Sequence, residues 1–252
     1  MPLTPSLLSS SPDSYARATQ SPFLASAAAG TLPTPIFARW LANDRLYIHA
    51  YIRGVGRLLS ILDLPDTVTA STEEKLLQWL VDALVNVRRE EHFFITTARG
   101  FGFDVELPSS SEGVVRREDK LEGLRRFEEL FGGLQKGAGE LGWLEGAVLL
   151  YATEKCYLDA WSGAREAFDE DGGQAAGGDD VVAREHAKEF IWNWSSAEFR
   201  QFVDALGAII DEGFDDIVAK HGEEVEEGLR QRALKVWHEV VSAEEHFWPA
   251  LE

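Results

Sequence analysis

The chain has 252 residues, of which 43 are Asp or Glu and 24 are Lys or Arg, giving a formal net charge of −19. Its 45% of hydrophobic and 11% of aromatic residues are typical of a globular protein. The acidic balance argues against nucleic acid and anionic membranes as partners, because both are bound through clustered basic residues. No apolar stretch reaches the roughly 18 residues that a transmembrane helix requires.

The first segment, residues 1–20, is rich in Ser and Pro and lacks the basic and apolar regions of a secretory signal. We interpret it as a flexible leader, followed by a single helical domain over residues 21–252. Cys156 is the only cysteine of the chain, which excludes an intrachain disulfide and fits a reducing, cytoplasmic location.

The rest of the chain has apolar residues at every third or fourth position, whereas strand-like alternation and hairpin turns are nearly absent. The pattern therefore predicts an all-α fold, a single multi-helix bundle. The predicted helices cover residues 34–62, 72–101, 117–136, 141–168, 181–194, 196–220 and 223–248. An acidic, glycine-rich segment at 169–180 is expected to be a mobile loop within this bundle.

Four of these predicted helices carry an acid on their apolar stripe. Asp44 lies on the predicted helix 34–62, Glu154 on the helix 141–168, and Glu244 on the helix 223–248. The predicted helix 72–101 carries either Glu90 or Glu91 on its stripe. A single acid of this kind is more often a residue at the rim of the core. Several of them beside aromatic residues indicate a polar pocket, because an isolated buried carboxylate costs several kcal/mol of stability.

Two chemistries use inward carboxylates in a helical bundle. A di-iron or dimanganese centre requires Glu-x-x-His on two helices, and no histidine of this sequence has an acid three positions before it. Metal-free acid–base or covalent catalysis on an organic substrate is therefore favoured, with no metal ion and no cofactor expected. The alternative is a carboxylate-bridged metal oxygenase that would draw its ligands from Glu91, Glu154, Glu244 and His92 or His246.

Three segments carry motifs that occur together in one known family. They are the opening Pro22-Phe23-Leu24, Gly30-Thr31-Leu32-Pro33, Phe37 and Asp44 with Tyr47, the internal residues 190–199, and the terminal Glu244 with Phe247-Trp248. In this order they resemble TenA-type proteins, the thiaminase II or aminopyrimidine aminohydrolase family. The resemblance spans about residues 21–250.

This resemblance implies an all-α bundle of the heme-oxygenase-like type. It also implies hydrolysis of 4-amino-5-aminomethyl-2-methylpyrimidine, a thiamin breakdown product, for thiamin salvage. By matching positions, Asp44 would hold the aminopyrimidine and Tyr47 would line the pocket. Glu244 would donate a proton to the leaving amine.

The sequence departs from the common branch of the family, which has a nucleophilic Cys four residues before a Tyr. Matching that Tyr to Tyr157 places Thr153 at the Cys position, and helix geometry directs Cys156 away from the pocket. The segment is similar to the branch without this Cys, in which a Glu serves instead. Glu154 is assigned that role, either as nucleophile or as base for water.

The expected partner is a small aminopyrimidine, which Tyr47, Tyr51, Tyr157 and Trp194 would bind by stacking or hydrogen bonding. Neither a nucleic acid nor a membrane is expected as a partner, and assembly into a homo-oligomer stays open. Cleavage of formylated pyrimidines stays open as well. A non-catalytic pyrimidine-binding protein is a further alternative.

Overall fold

The computed structural model describes residues 2–170 and 184–251 of the chain. Within them the backbone forms ten α-helices, a 3-10 turn at Arg117–Asp119 and one isolated β-bridge between Ser109 and Val115. The helices are α1 (Leu3–Ser9), α2 (Pro12–Thr19), α3 (Pro22–Ala29), α4 (Thr34–Ile61), α5 (Thr72–Gly100), α6 (Glu122–Gly133), α7 (Leu144–Glu170), α8 (Arg184–Trp194), α9 (Ala197–His221) and α10 (Glu223–Glu245). The prediction of an all-α fold is confirmed.

Several helix starts are fixed by side chains that bind otherwise unpaired backbone N–H groups. The Ser71 hydroxyl accepts a hydrogen bond from the N–H of Glu74 (3.3 Å) at the start of α5. Ser196 accepts one from the N–H of Phe199 (3.1 Å) at the start of α9. These caps agree with the starts that the sequence predicts.

One predicted helix, that over residues 117–136, is shorter in the structure because a tertiary contact fixes its beginning. The N–H of Leu121 donates to the Oδ1 atom of Asn43 on α4 (2.8 Å), so α6 begins only at Glu122. This contact attaches the first turn of α6 to the middle of α4. It could not be predicted from the periodicity of α6 alone.

Helix α7 lies at the centre of the bundle and contacts α2, α3, α4, α8, α9 and α10. The core around it is unusually rich in large aromatic side chains. Trp40, Trp161 and Trp237 are each fully buried, as are Phe37 and Phe190. Burial of each such side chain contributes about 1.5–3 kcal/mol to the stability of the fold. This aromatic core therefore fixes the positions of the long helices relative to one another.

The prediction of a flexible leader over residues 1–20 is wrong for the described part of this segment, which forms α1 and α2. Leu3 and Leu7, one helical turn apart, are both fully buried against the bundle. The hydroxyl of Thr4 donates to Asp211 on α9 (2.6 Å), which pins α1 at a second point. The Ser- and Pro-rich composition concealed this short apolar face.

Helix α3 is not among the helices that the sequence predicts, since it is only 8 residues long.

The predicted mobile loop at 169–180 lies for the most part outside the described residues. Helix α7 continues to Glu170, and α8 begins at Arg184, inside the helix predicted over 181–194. None of the described helices combines the length and the apolarity that crossing a bilayer requires.

Candidate active site

A cavity of about 410 Å³ lies among helices α4, α5, α7, α8 and α9. A volume of this size suits a small organic molecule. Six of the seven side chains that the sequence analysis assigned to a site line this cavity. They are Asp44, Tyr47, Tyr51, Glu154, Tyr157 and Trp194. The seventh, Glu244, does not contribute to its wall.

The walls of the cavity are largely aromatic. The rings of Tyr47 and Tyr51 lie 6.0 Å apart at 52°, and those of Tyr157 and Trp194 lie 5.4 Å apart, edge to face. Such pairs fix the ring orientations and leave π-faces for a planar ligand. Three further aromatic residues that the sequence analysis did not assign also line the cavity: Phe93, Phe199 and Phe202.

The aromatic side of α4 is supported by α6. Phe131 packs edge to face against both Tyr47 and Tyr51, with ring centroids 5.9 and 5.7 Å away. The ring of Phe131 occupies the space that a side chain at Gly54 would need. A glycine at this position therefore lets α6 approach α4 and hold the two tyrosines.

Asp44 is 2% exposed and reaches the cavity from α4. Burial raises the pKa of its carboxyl well above the ordinary value, the nearby charge of Glu90 raises it further, and the Tyr157 hydroxyl partly opposes the shift. Tyr157 Oη itself is buried and makes no well-aligned hydrogen bond within the described residues. Asp44 and Tyr157 thus present hydrogen-bonding capacity to whatever occupies the cavity.

Glu154 reaches the cavity from α7 and is half-buried. The hydroxyl of Tyr51 donates a hydrogen bond to its Oε1 atom (2.6 Å). Burial raises the pKa of Glu154 to about 8, while the Tyr51 hydrogen bond lowers it and the charge of Glu90 raises it. A carboxyl with this pKa exchanges protons near neutral pH, as a general base or acid requires.

The sequence did not distinguish Glu90 from Glu91 as the inward acid of α5. In the structure, Glu90 is the one that lines the cavity. The indole N–H of Trp194 donates a hydrogen bond to its carboxylate. Burial raises the pKa of Glu90 to about 7, and this hydrogen bond opposes the shift. Glu91 instead binds His49 (2.9 Å) and Arg88, and it does not line the cavity.

The position of Glu244 differs from the one expected. It is 1% exposed, its Oε1 atom has no hydrogen-bond partner within the described residues, and it lies off the cavity wall. Burial raises the pKa of Glu244 well above its ordinary value, and the charge of Asp44 adds to the shift. The charge of Glu244 in turn raises the pKa of Tyr47 and that of Tyr157. Glu244 therefore lies behind the cavity, close to Asp44.

Cys156 is fully buried and does not line the cavity, whereas Thr153 does. Burial raises the pKa of the Cys156 thiol well above its ordinary value, and the charges of Glu244 and Asp159 raise it further. A thiol in this environment stays protonated, which is the opposite of what a nucleophilic cysteine requires.

The residues considered for a metal centre are not brought together. Across residues 2–170 and 184–251, no three His, Cys, Asp or Glu side chains are arranged to hold a metal ion. Among the candidates, His92 is exposed and Glu91 is occupied by His49 and Arg88.

Comparison with known proteins gives one curated relative and several solved structures. No family model matches the chain. A protein of Fusarium pseudograminearum (strain CS3096), described as a probable transcription factor, is 27% identical over 232 residues. The match covers 82% of this chain and 44% of that protein, so the chain spans less than half of the length of this relative.

Solved structures of TenA proteins are similar to this chain over nearly its whole length. A TenA homologue from Pyrococcus furiosus has a TM-score of 0.68 at 24% identity, covering 98% of each chain. A TenA homologue from P. horikoshii has a TM-score of 0.68 at 16% identity, covering 98% of this chain and 99% of its own. A TenA family transcription regulator from Silicibacter has a TM-score of 0.66 at 16% identity, covering 98% and 94%. The chain thus has the TenA-type all-α fold.

Proposed function

We propose that the chain is a TenA-type hydrolase that acts in thiamin salvage and releases ammonia from the aminomethyl group of an aminopyrimidine. The observation that carries this proposal is that Asp44, Glu90 and Glu154, from three different helices, line one aromatic cavity. Aromatic walls suit a planar heterocycle, and carboxyl groups suit its ring nitrogens and amines. The TenA-type fold supports the same assignment.

In this proposal Asp44 binds the aminopyrimidine ring. Its carboxyl donates or accepts hydrogen bonds at the ring nitrogen and the adjacent amino group, and partial proton transfer to the ring makes the ring more electrophilic. Tyr157 and Trp194 hold the ring by aromatic contacts, and the buried Tyr157 hydroxyl, beside Asp44, adds a hydrogen bond. Tyr47 and Tyr51, fixed from behind by Phe131, complete the wall.

We assign the attack on the methylene carbon to Glu154. In its ionised form it either removes a proton from a water molecule or attacks the substrate itself, and Tyr51 orients it through the 2.6 Å hydrogen bond. Over the whole reaction, a C–O bond to the methylene carbon replaces the C–N bond. The substrate ammonium and water become the hydroxymethyl product and an ammonium ion.

Glu244 supplies a proton from behind the cavity. The resemblance assigned it to direct protonation of the leaving amine, but Glu244 does not line the cavity. We therefore expect Glu244 to share its proton with Asp44, which lends it to the pyrimidine ring; the ring returns it after the C–N bond has broken, so the overall reaction takes up no proton. Burial raises the pKa of Glu244 well above its ordinary value, which favours the protonated form that can donate.

The test is ammonia release from 4-amino-5-aminomethyl-2-methylpyrimidine by the wild type and by Glu154→Gln. We expect the variant to lose about 10²–10⁴-fold in kcat, the usual contribution of a general base. Glu166→Gln, an exposed acid on the same helix, is the matched control and keeps wild-type turnover. Absence of ammonia release by the wild type, or equal turnover by Glu154→Gln, would overturn the proposal.

A non-catalytic regulatory protein is the second candidate. The Fusarium relative is described as a probable transcription factor and the Silicibacter structure as a transcription regulator, and here Thr153 stands at the position that the common branch gives to Cys. This candidate predicts tight binding of the pyrimidine with no ammonia released, whereas the hydrolase releases one ammonia per pyrimidine consumed.

A further inference from the structure

The charged groups that line the cavity are distributed unevenly between its mouth and its interior. Arg89 and Glu198 are exposed and therefore belong to the mouth. The buried and half-buried charged groups on the wall are Asp44, Glu90 and Glu154, and among residues 2–170 and 184–251 no Lys, Arg or His accompanies them there. The interior is thus a site of three acids without a cation.

Glu90 is the acid that interacts with both of the others. Its charge raises the pKa of Asp44 and that of Glu154, whereas neither of these two affects the other to a comparable extent. The hydrogen bond from Trp194 holds the carboxylate of Glu90 in this position. Glu90 therefore shares one cavity with the acid that we assign to the ring and the acid that we assign to the attacking group, and its charge acts on both.

Three neighbouring carboxyl groups cannot all ionise in a poorly solvated space unless a cation joins them. Since none of the described residues contributes a cation to the interior, a ligand that carries one gains charge-assisted hydrogen bonds that a neutral ligand does not make. The methylene ammonium of an aminomethylpyrimidine is such a cation. It is one bond away from the carbon at which the proposed reaction takes place.

We propose that Glu90 binds the primary ammonium of the substrate, and that it selects aminomethylpyrimidines over pyrimidines with a neutral group at the same carbon, including formamides. This inference deepens the proposed function and rests on it for the orientation of the ring. The ring lies at Asp44 and the ammonium lies between Glu90 and Glu154.

The experiment compares two ligands that share one ring. 4-Amino-5-aminomethyl-2-methylpyrimidine carries the ammonium, and 4-amino-2,5-dimethylpyrimidine carries a methyl group in its place. The dissociation constants are measured from the first phase of tryptophan fluorescence change after rapid mixing, before turnover. The variant is Glu90→Gln, whose amide oxygen still accepts from Trp194. The matched control is Glu91→Gln, the adjacent acid that faces His49 and Arg88.

We expect the wild type and Glu91→Gln to bind the ammonium ligand at least about tenfold more tightly than the dimethyl ligand. Glu90→Gln should lose about tenfold in affinity for the ammonium ligand and stay within about twofold for the dimethyl ligand, which also shows that its cavity is intact. An unchanged preference in Glu90→Gln, or equal weakening of both ligands, would overturn the assignment of Glu90.

Failure of the proposed function gives a different result. If the preference depends on Glu90 but no ammonia is released, the ammonium site stands and the hydrolase does not. If neither ligand binds to the wild type, both proposals are wrong.

Discussion

Helix α7 presents acids to two regions of the molecule in opposite ways. Toward the cavity, Glu154 has Tyr51 as its hydrogen-bond donor and Glu90 as a further acid nearby. Toward α2, Asp159 accepts a hydrogen bond from Tyr15 (2.9 Å) and pairs with Lys155 (2.6 Å). We call this second region, where α1 and α2 pack on α7, α9 and α10, the N-terminal seam.

Helix α5 repeats the contrast at adjacent positions. Glu90 faces the cavity, whereas Glu91 is held by His49 and Arg88. Acids with cationic partners are charged at little cost. Asp159 also ties α7 to α2 through Tyr15, and Glu91 ties α5 to α4 through His49. Acids without such partners are disfavoured in their charged form, so they are retained where chemistry or binding uses them.

The largest effect should follow from Asp44→Asn. We expect about a 10²–10⁴-fold loss of ammonia release, because the amide cannot exchange a proton with the ring or with Glu244. Asp159→Asn, an acid of the N-terminal seam, should keep turnover within about threefold of the wild type and lower the melting temperature instead. Comparable losses of activity in both variants would remove the distinction between the two regions.

The N-terminal seam is expected to carry stability rather than catalysis. Leu7→Ala should lower the free energy of unfolding by about 2–4 kcal/mol, since Leu7 is fully buried. Its kcat at a temperature where the variant is folded should match that of the wild type. Denaturant unfolding gives the first quantity and the ammonia assay the second. No loss of stability would restore the interpretation of residues 1–20 as a flexible leader.

Removal of the Glu154 charge should stabilise the protein at high pH. The pKa of Glu154 is raised from its ordinary value of 4.5 to about 8, so the folded protein holds this proton to higher pH than the unfolded chain does. Its contribution to stability therefore falls as the pH rises from about 4.5 through 8. Glu154→Gln should be more stable than the wild type by about 1–2 kcal/mol at pH 9 and unchanged at pH 4.

The matched variant in the N-terminal seam is Asp159→Asn, which should be less stable than the wild type at pH 7 because it loses its pairing with Lys155. Thermal unfolding at several pH values measures both variants. A destabilising effect of Glu154→Gln at pH 9 would show that Glu154 is ionised and well solvated in the folded state.

The smallest effect should follow from Cys156→Ser. We expect kcat within about twofold of the wild type, because the thiol is buried off the cavity wall and held protonated. Complete loss of ammonia release in a folded Cys156→Ser protein would return the thiol to the mechanism.

The sequence predicted those parts of the site that helical periodicity determines. Asp44 and Glu154 each interrupt an apolar stripe, and both reach the cavity. Glu90 and Glu91 differ by only about 100° around α5, so periodicity could not choose between them. Trp194 and His49, distant in sequence, decide that choice in the folded protein.

Two other features depended on tertiary contacts in the same way. Glu244 was predicted to face inward, and it is buried, but its position behind Asp44 depends on how α10 packs against its neighbours. Helices α1 and α2 are too short to be stable alone, so composition indicated a leader. Their buried leucines gain stability only against the assembled bundle.

The most direct test of the account is a crystal structure of the Glu154→Gln variant with bound 4-amino-5-aminomethyl-2-methylpyrimidine. We predict the pyrimidine ring in the cavity with a ring nitrogen within hydrogen-bond distance of Asp44, and the ammonium next to Glu90. A ligand bound outside this cavity, or bound within it with no contact to Asp44, would contradict the claim that these unpaired acids form the active site.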